Sequence, residues 1–364
     1  MTSKYETLTG LVERFSPTHD EAEAVAWLVK RMTTLGFEIA RADDAGNTVG
    51  TIGEGPNQIV LLGHIDTVPG KIPVRVENGI LHGRGSVDAK GPLAAFVDAA
   101  AQTGRVPGWQ IIVIGAVGEE GDSAGAWHVA TRYHPRFAVI GEPSGWNRIA
   151  LGYRGVVRFR FHAQRAIGHS ASGRDSVCEL AVEFWNRLME ICSKENRGLE
   201  RKFEQVTPVL QQMHSGGDGF IEEGEVSGNI RLPQRIASER MKQLLQEAAA
   251  EIGAVESEGV PLEAYRAEKN TLVVGALLSA IRSLGGDPSF SLKLGTSDLS
   301  IVGPAWNCPM AVYGPGDSTL DHTPGECISL EEYGKAVAVL GNALKRLTVK
   351  GKRLEENAES APRV

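Results

Sequence analysis

Gln58-Ile59-Val60-Leu61-Leu62-Gly63-His64-Ile65-Asp66-Thr67-Val68-Pro69 is the stretch whose reading decides the fold. Gln58–Leu62 is an apolar, β-branched run, as a strand buried on both faces reads. It gives way at once to glycine, histidine and aspartate. Outward along the chain the same order recurs. Gln110–Val117 is apolar and is followed by Gly118-Glu119-Glu120-Gly121. Phe137–Ile140 is apolar and is followed by Gly141-Glu142-Pro143-Ser144. Helical stretches lie between: Ala89–Gln102, opened by Ser86-Val87-Asp88-Ala89-Lys90-Gly91, and Ala124–Tyr133. Strands that alternate with helices predict an α/β fold, a mostly parallel sheet with helices on both faces.

Residues 5–36 read as helical, broken at Ser16-Pro17, with Gly36 as a C-cap. Near residue 155 the pattern changes. Val156–Ala163 alternates apolar and polar residues, Ser176–Ser193 is helical, and Glu204–Met213 and Glu225–Leu232 look like strands. Ser238–Ile252 is an amphipathic helix with Ser238 as its expected N-cap, and Val260–Ala267 is a last strand. The order β-α-β-β-α-β predicts an inserted ferredoxin-like α+β unit. From Thr271 the first pattern resumes, with a helix over Leu272–Leu284, a strand over Pro309–Tyr313 and a helix over Leu330–Leu347. The expected organisation is a discontinuous catalytic domain, 1–155 and 268–350, an inserted domain, 156–267, and a flexible polar tail, 351–364.

A chain of 364 residues exceeds one typical domain, which agrees with that division. The net charge of −7 argues against general nucleic-acid binding, which needs a basic face. No apolar stretch is long enough to span a bilayer, and Met1–Glu6 lacks the apolar core of a signal peptide, so a cytoplasmic location is expected. The cysteines Cys178, Cys192, Cys308 and Cys327 are scattered and form no C-x-x-C pair, which points away from thiolate metal sites and disulfides.

The carboxyl ends of parallel strands are where such sheets bind ligands. His64, Asp88, Glu119, Glu120 and Glu142 each follow a strand-like run or the turn leaving one, and His322 stands in Asp321-His322-Thr323-Pro324. One such cluster alone would be an ordinary acidic loop; several at successive strand ends predict a site. Two imidazoles and several carboxylates without a thiolate suit zinc, cobalt or manganese. Two such metals, about 3.5–4 Å apart, need a bridging carboxylate, for which Asp88 at a helix start is the best candidate. Asp66 lies two residues beyond His64, on the same face of a strand, where it can hold the second ring nitrogen. Of the adjacent Glu119 and Glu120, one can bind metal while the other serves as general base.

The phrases Gly63–Pro69, Gly83–Gly91, Glu119-Glu120-Gly121, Gly141-Glu142-Pro143 and Asp321–Pro324 together resemble the M20 family of metallo-aminoacylases and peptidases, over nearly the whole chain. That resemblance implies two zinc ions per subunit, with cobalt as a possible substitute. His64, Asp88 and Glu142 would hold one ion and Asp88, Glu120 and His322 the other. Glu119 would be the general base and Asp66 the partner of His64. Ala166-Ile167-Gly168-His169-Ser170-Ala171 resembles the family's lid loop, whose histidine donates to the developing oxyanion, often from a partner subunit. The resemblance further implies a homodimer through the inserted domain. Asn229 and Arg231 alternate along a strand and share a face, from which Arg231 can grip a carboxylate. Gly295-Thr296-Ser297-Asp298 resembles the family's substrate loop.

Within the family, Leu151–Gly155 and Tyr313–Asp317 resemble the branch of LysW-lysine/LysW-ornithine hydrolases. The implied substrate is lysine or ornithine on the C-terminal glutamate of LysW, a small acidic amino-group carrier protein of lysine and arginine biosynthesis. Arg154, Arg158, Arg165 or Lys293 would then steer the carrier. Two other activities fit the same motifs: a deacetylase acting on free N-acetyl-ornithine or N-acetyl-lysine, and a dipeptidase. A non-catalytic metal-binding protein on this fold is the contrasting class.

Overall fold

The computed structural model describes residues 3–169, 171 and 173–359. The chain divides into two compact units. The first comprises Met1–Leu151, Ala267–Ser291 and Ile301–Val364, and the second Gly152–Arg266 and Leu292–Ser300.

The first unit begins with helices α1 (Glu6–Glu13) and α2 (Ala22–Thr34), separated at the expected Ser16-Pro17 break. Gly36, at φ +87°, follows the end of α2. Then come β1 (Ile39–Ala42), β2 (Thr48–Ile52), β3 (Asn57–His64), β4 (Arg75–Glu77), β5 (Ile80–His82), α3 (Lys90–Thr103), β6 (Trp109–Ala116), α4 (Ala124–Ala130), β7 (Phe137–Gly141) and β8 (Arg148–Tyr153).

The second unit carries β9 (Gly155–Ala166), α5 (Val177–Glu195), β10 (Thr207–Gly217), β11 (Ile221–Leu232), α6 (Ser238–Ala249), β12 (Ala254–Leu262) and β13 (Tyr265–Arg266). Its four-stranded sheet has the order β10-β11-β9-β12, all antiparallel, the order of a ferredoxin-like unit. The alternation read in β9 buries Val157, Phe159, Phe161 and Ala163 against Phe184 and Leu188 of α5 and Leu244 and Leu245 of α6. The Phe161 and Phe184 rings stack at 4.2 Å. Ser176 caps α5 in a reciprocal pair with Glu179. Ser238 does not cap α6: Ala237 holds that position, and the Ser238 N–H instead donates to the Glu263 carboxylate at 2.9 Å.

The remaining elements are α7 (Leu272–Ser283), β14 (Ser289–Lys293), α8 (Leu299–Trp306), β15 (Met310–Val312), β16 (Cys327–Ser329) and α9 (Leu330–Glu359). α9 continues beyond Leu347, where the periodicity was expected to end. The last part of the tail, residues 360–364, lies outside the described residues. Leu292–Ser300, which the sequence placed with the catalytic domain, clusters with the second unit. Among the described residues no helix is long and apolar enough to cross a membrane.

The main sheet of the first unit runs β1-β2-β6-β3-β7-β15-β8. β6, β3, β7 and β15 are parallel, and β1, β2 and β8 are antiparallel to their neighbours. The structure is thus α/β with a central, mostly parallel sheet. Gly115, Gly63 and Gly141 lie in one row across its three central strands. A Cβ on each would stand 3.0 Å, 3.3 Å and 2.7 Å from Leu93, Leu93 and Phe96 of α3. With no side chains in this row, α3 packs closely on the ends of the strands that carry the acidic clusters. A separate three-stranded sheet, β16-β5-β4, brings the 80s and the 320s together.

Candidate metal centre

His64 is the last residue of β3, and Glu142 follows β7, its parallel neighbour, one step beyond the Gly63–Gly141 pair. Asp88 precedes α3, and Glu119 and Glu120 occupy the turn after β6. His322 arrives from the other end of the chain on a backbone at φ +61°, a left-handed conformation that costs a non-glycine residue about 1–3 kcal/mol and persists only where its surroundings fix it.

His64, Asp88 and Glu120 each offer a ligand atom, all within 4.8 Å of one another, and can hold a metal ion. His322 joins them: its Nε2 lies 3.0 Å from Asp88 Oδ2 and 2.9 Å from Glu120 Oε1. The other oxygen of Asp88 lies 3.3 Å from His64 Nε2. Asp88 therefore faces both imidazoles, one through each oxygen.

The electrostatics follow from this crowding. Burial opposes ionisation of Asp88, but hydrogen bonds from His322 and His64 prevail and hold its carboxyl well below the usual range. The hydrogen bonds that His322 donates, to Asp88 first and Glu120 second, push it up to about 10. Burial disfavours a charged His64, yet Asp66, Asp88 and the charge of Glu119 raise its pKa well above the ordinary value. Burial, together with the nearby charge of Asp88, raises Glu120. Acidic oxygens and imidazole nitrogens packed this tightly use protons to balance their charge. A divalent cation does the same work with the same donor set, and nitrogen and oxygen donors without thiolate match zinc, cobalt or manganese. The residues present fit such an ion.

Asp66 is completely buried and holds more than its histidine. Its Oδ1 lies 3.3 Å from His64 Nδ1 and accepts the Glu119 N–H at 3.1 Å. Its Oδ2 accepts the Glu120 N–H at 3.1 Å and the Thr18 hydroxyl at 2.8 Å. Thr18 was not singled out in the sequence, where Ser16-Pro17 reads only as a helix break. The segment is tied to the site: the Thr18 N–H donates to Thr67 O and the Ser16 hydroxyl to Ile65 O. Lys90, fully buried, donates its amine to Leu11 O and Arg14 O at the end of α1. Burial lowers that amine to about 7.

The second unit holds the other residues singled out. His169 is exposed, and its Nδ1 accepts the Ala171 N–H at 3.1 Å; Ser170, between them, lies outside the described residues. Arg231 Nη1 donates to the Thr296 hydroxyl at 3.0 Å. Asn229 Oδ1 is buried with no hydrogen-bond partner among the described residues. Gly295 O accepts the Arg154 N–H, and the Ser297 hydroxyl accepts the Leu299 N–H. Arg154 is not at the surface as a steering residue would be. It is 5% exposed and donates to Leu294 O, Lys202 O, Gln205 O and the Thr207 hydroxyl. Burial, then the nearby Arg231 charge, lowers it to about 10. Arg165 is partly exposed and donates to Asp175 O.

A model of the peptidase family M20/M25/M40 matches residues 60–346. The LysW-lysine hydrolase of Deinococcus radiodurans is 40% identical over 335 residues, covering 90% of this chain and 92% of that protein. The LysW-lysine/LysW-ornithine hydrolase of Sulfurisphaera tokodaii is 29% identical over 356 residues, 95% of this chain and 96% of its own. Among solved structures, a tripeptidase from Staphylococcus aureus superposes with a TM-score of 0.76 at 20% identity, covering 94% of this chain and 97% of that one.

Proposed function

This chain belongs to peptidase family M20/M25/M40 and is a metal-dependent hydrolase, and from that premise we propose that it releases lysine, or ornithine, from the C-terminal glutamate of the carrier protein LysW. The observation that carries the substrate reading is the 40% identity to a LysW-lysine hydrolase over nine-tenths of the chain. The bond cut is then the amide between a glutamate γ-carboxyl and the α-amino group.

On this reading His64, Asp88, Glu142, Glu120 and His322 would hold two zinc ions, or cobalt, with Asp88 placed to serve both. Such ions supply an acidified water and a polarised carbonyl when bound. Glu119 takes the proton of the attacking water and returns it to the leaving amine as the C–N bond breaks. Asp66 fixes the ring of His64 and the backbone of the Glu119–Glu120 turn, which keeps the base in place. His169 donates to the carbonyl oxygen as negative charge develops there, from the partner subunit of a homodimer. Arg231, Asn229 and the Gly295-Thr296-Ser297 loop receive the substrate. The pairing of Arg231 with Thr296 and the buried Asn229 oxygen, which has no partner among the described residues, support that assignment. Arg158, Arg165 or Lys293 steer the acidic carrier.

The test is product analysis on carrier-linked lysine, carrier-linked ornithine, N-acetyl-lysine and N-acetyl-ornithine, each with zinc and with cobalt. Release from the carrier-linked substrates is expected to be the faster. Equal or faster turnover of the free acetylated amino acids would transfer the function to a small-molecule deacetylase. No release from any of these substrates would point to the dipeptidase, and absence of any amidase activity in protein carrying both ions to a non-catalytic metal-binding protein. Glu119→Ala is the control: turnover is lost while metal content stays near that of the wild type.

A further inference from the structure

Two buried charges beside the centre belong to no role given so far. Glu326 is 0% exposed and Arg84 6%, and Arg84 Nη1 meets Glu326 Oε2 at 2.8 Å. The second carboxylate oxygen of Glu326 accepts two consecutive backbone N–H groups, Val87 at 2.9 Å and Asp88 at 3.0 Å. Arg84 in turn donates from Nη1 to Thr323 O at 3.1 Å and from Nε to Gly70 O at 3.0 Å. One side of the pair therefore grips the backbone of Asp88, and the other grips the residue after His322.

The approach of the two segments is built into the chain. Cys327 of β16 pairs with His82 of β5, and the Gly83 N–H donates to Glu326 O, so one ladder delivers both loops to the same place. Gly85 makes the fit possible: at φ +84° it occupies the left-handed region, and a Cβ there would stand 2.8 Å from Thr67 and 2.9 Å from Lys90. The His322 side chain is 52% exposed, so packing around the ring does not place it. Its left-handed backbone is held by the Thr323 bonds to Leu320 O and by Arg84.

We propose that Arg84 and Glu326 are a positioning pair that sets Asp88 and His322 in ligating register across the two ends of the chain. The inference rests on the reading of Asp88 and His322 as metal ligands. A pair present for stability alone is replaceable by apolar residues of similar volume, often without loss. A pair that presents an acceptor to the Asp88 N–H and a donor to the His322 turn is not replaceable in that way. The two roles separate in one experiment.

Metal-free wild type, Glu326→Gln and the double variant Arg84→Met/Glu326→Leu are titrated with cobalt. Affinity is read by competition with a chelator, ligand geometry by the visible d–d bands, and folding by thermal unfolding of the metal-free protein. The double variant leaves no unpaired charge and is expected to fold, with a melting temperature lowered by the loss of an acceptor for the Val87 and Asp88 N–H groups. It should bind cobalt about 10- to 100-fold more weakly, with altered d–d bands, as loss of partners behind metal ligands does. Glu326→Gln keeps an oxygen for the Val87 and Asp88 N–H groups and should fall between the two. Wild-type affinity and spectrum in a folded double variant would overturn the proposal. If the double variant does not fold, a wild-type titration by Glu326→Gln overturns it, and a weakened one with shifted bands supports it. Absence of cobalt binding by the wild type would instead fail the metal-site reading itself.

Discussion

At Asp66 donors from three segments converge: the His64 ring, the Thr18 hydroxyl and the N–H groups of Glu119 and Glu120. Its spacing from His64 made one of these contacts legible, because two residues along a strand return to the same face. The others required the fold, since nothing in Ser16-Pro17-Thr18 or in the peptide bonds of Glu119 and Glu120 announces a partner some 50 residues away. His322 carries a pH dependence. In the metal-free protein His322 is pushed up to about 10, chiefly by Asp88, so at pH 8 it is protonated. A metal requires the neutral imidazole. Cation binding at pH 8 is therefore expected to expel protons, and affinity should rise with pH until about 10. A pH-indicator dye in weak buffer reads the release during a zinc titration; a titration with no proton release would contradict the protonated His322.

Among the elements, the strand-then-acid rhythm was the legible part, because β3, β6 and β7 are buried on both faces and read as continuous apolar runs. The small sheet of β4, β5 and β16 was not legible: strands of three residues offer too few positions for any period. That sheet nevertheless brings His322 beside Asp88 and Glu120, so the sequence singled out the residue without showing its route. The glycine row is a second feature of this scale. Gly63 and Gly141 are positions where α3 leaves no room for a side chain. Gly141→Ala would press a methyl group toward Phe96 and force α3 outward, at a cost of about 1–3 kcal/mol. Because Asp88 leads into α3, the same shift should weaken metal binding. Chemical denaturation and chelator competition measure the two effects; wild-type values for both would show that the row does not set the spacing.

Across the whole molecule, the sequence conveyed two units and the ferredoxin-like order of the second. It did not convey that Leu292–Ser300 returns to that unit, because the segment sits between helices and resembles a loop of the first. The return is fastened by named bonds: the Arg154 backbone to Gly295 O, its side chain to Leu294 O, and Arg231 to the Thr296 hydroxyl. Arg154→Met should therefore loosen residues 292–296 and the start of β10 together while leaving β3, β6 and β7 protected. Hydrogen exchange on the full chain reads this; loss of protection confined to residues near 154 would refute the fastening. The return also bears on attempts to exchange substrate preference between relatives. Residues 152–266 look like a cassette that could be lifted out at two cuts and grafted elsewhere. A graft made so would leave Arg154 and Arg231 facing a stranger's loop. The transplantable unit is two pieces of gene, and the shorter one has to travel with the longer.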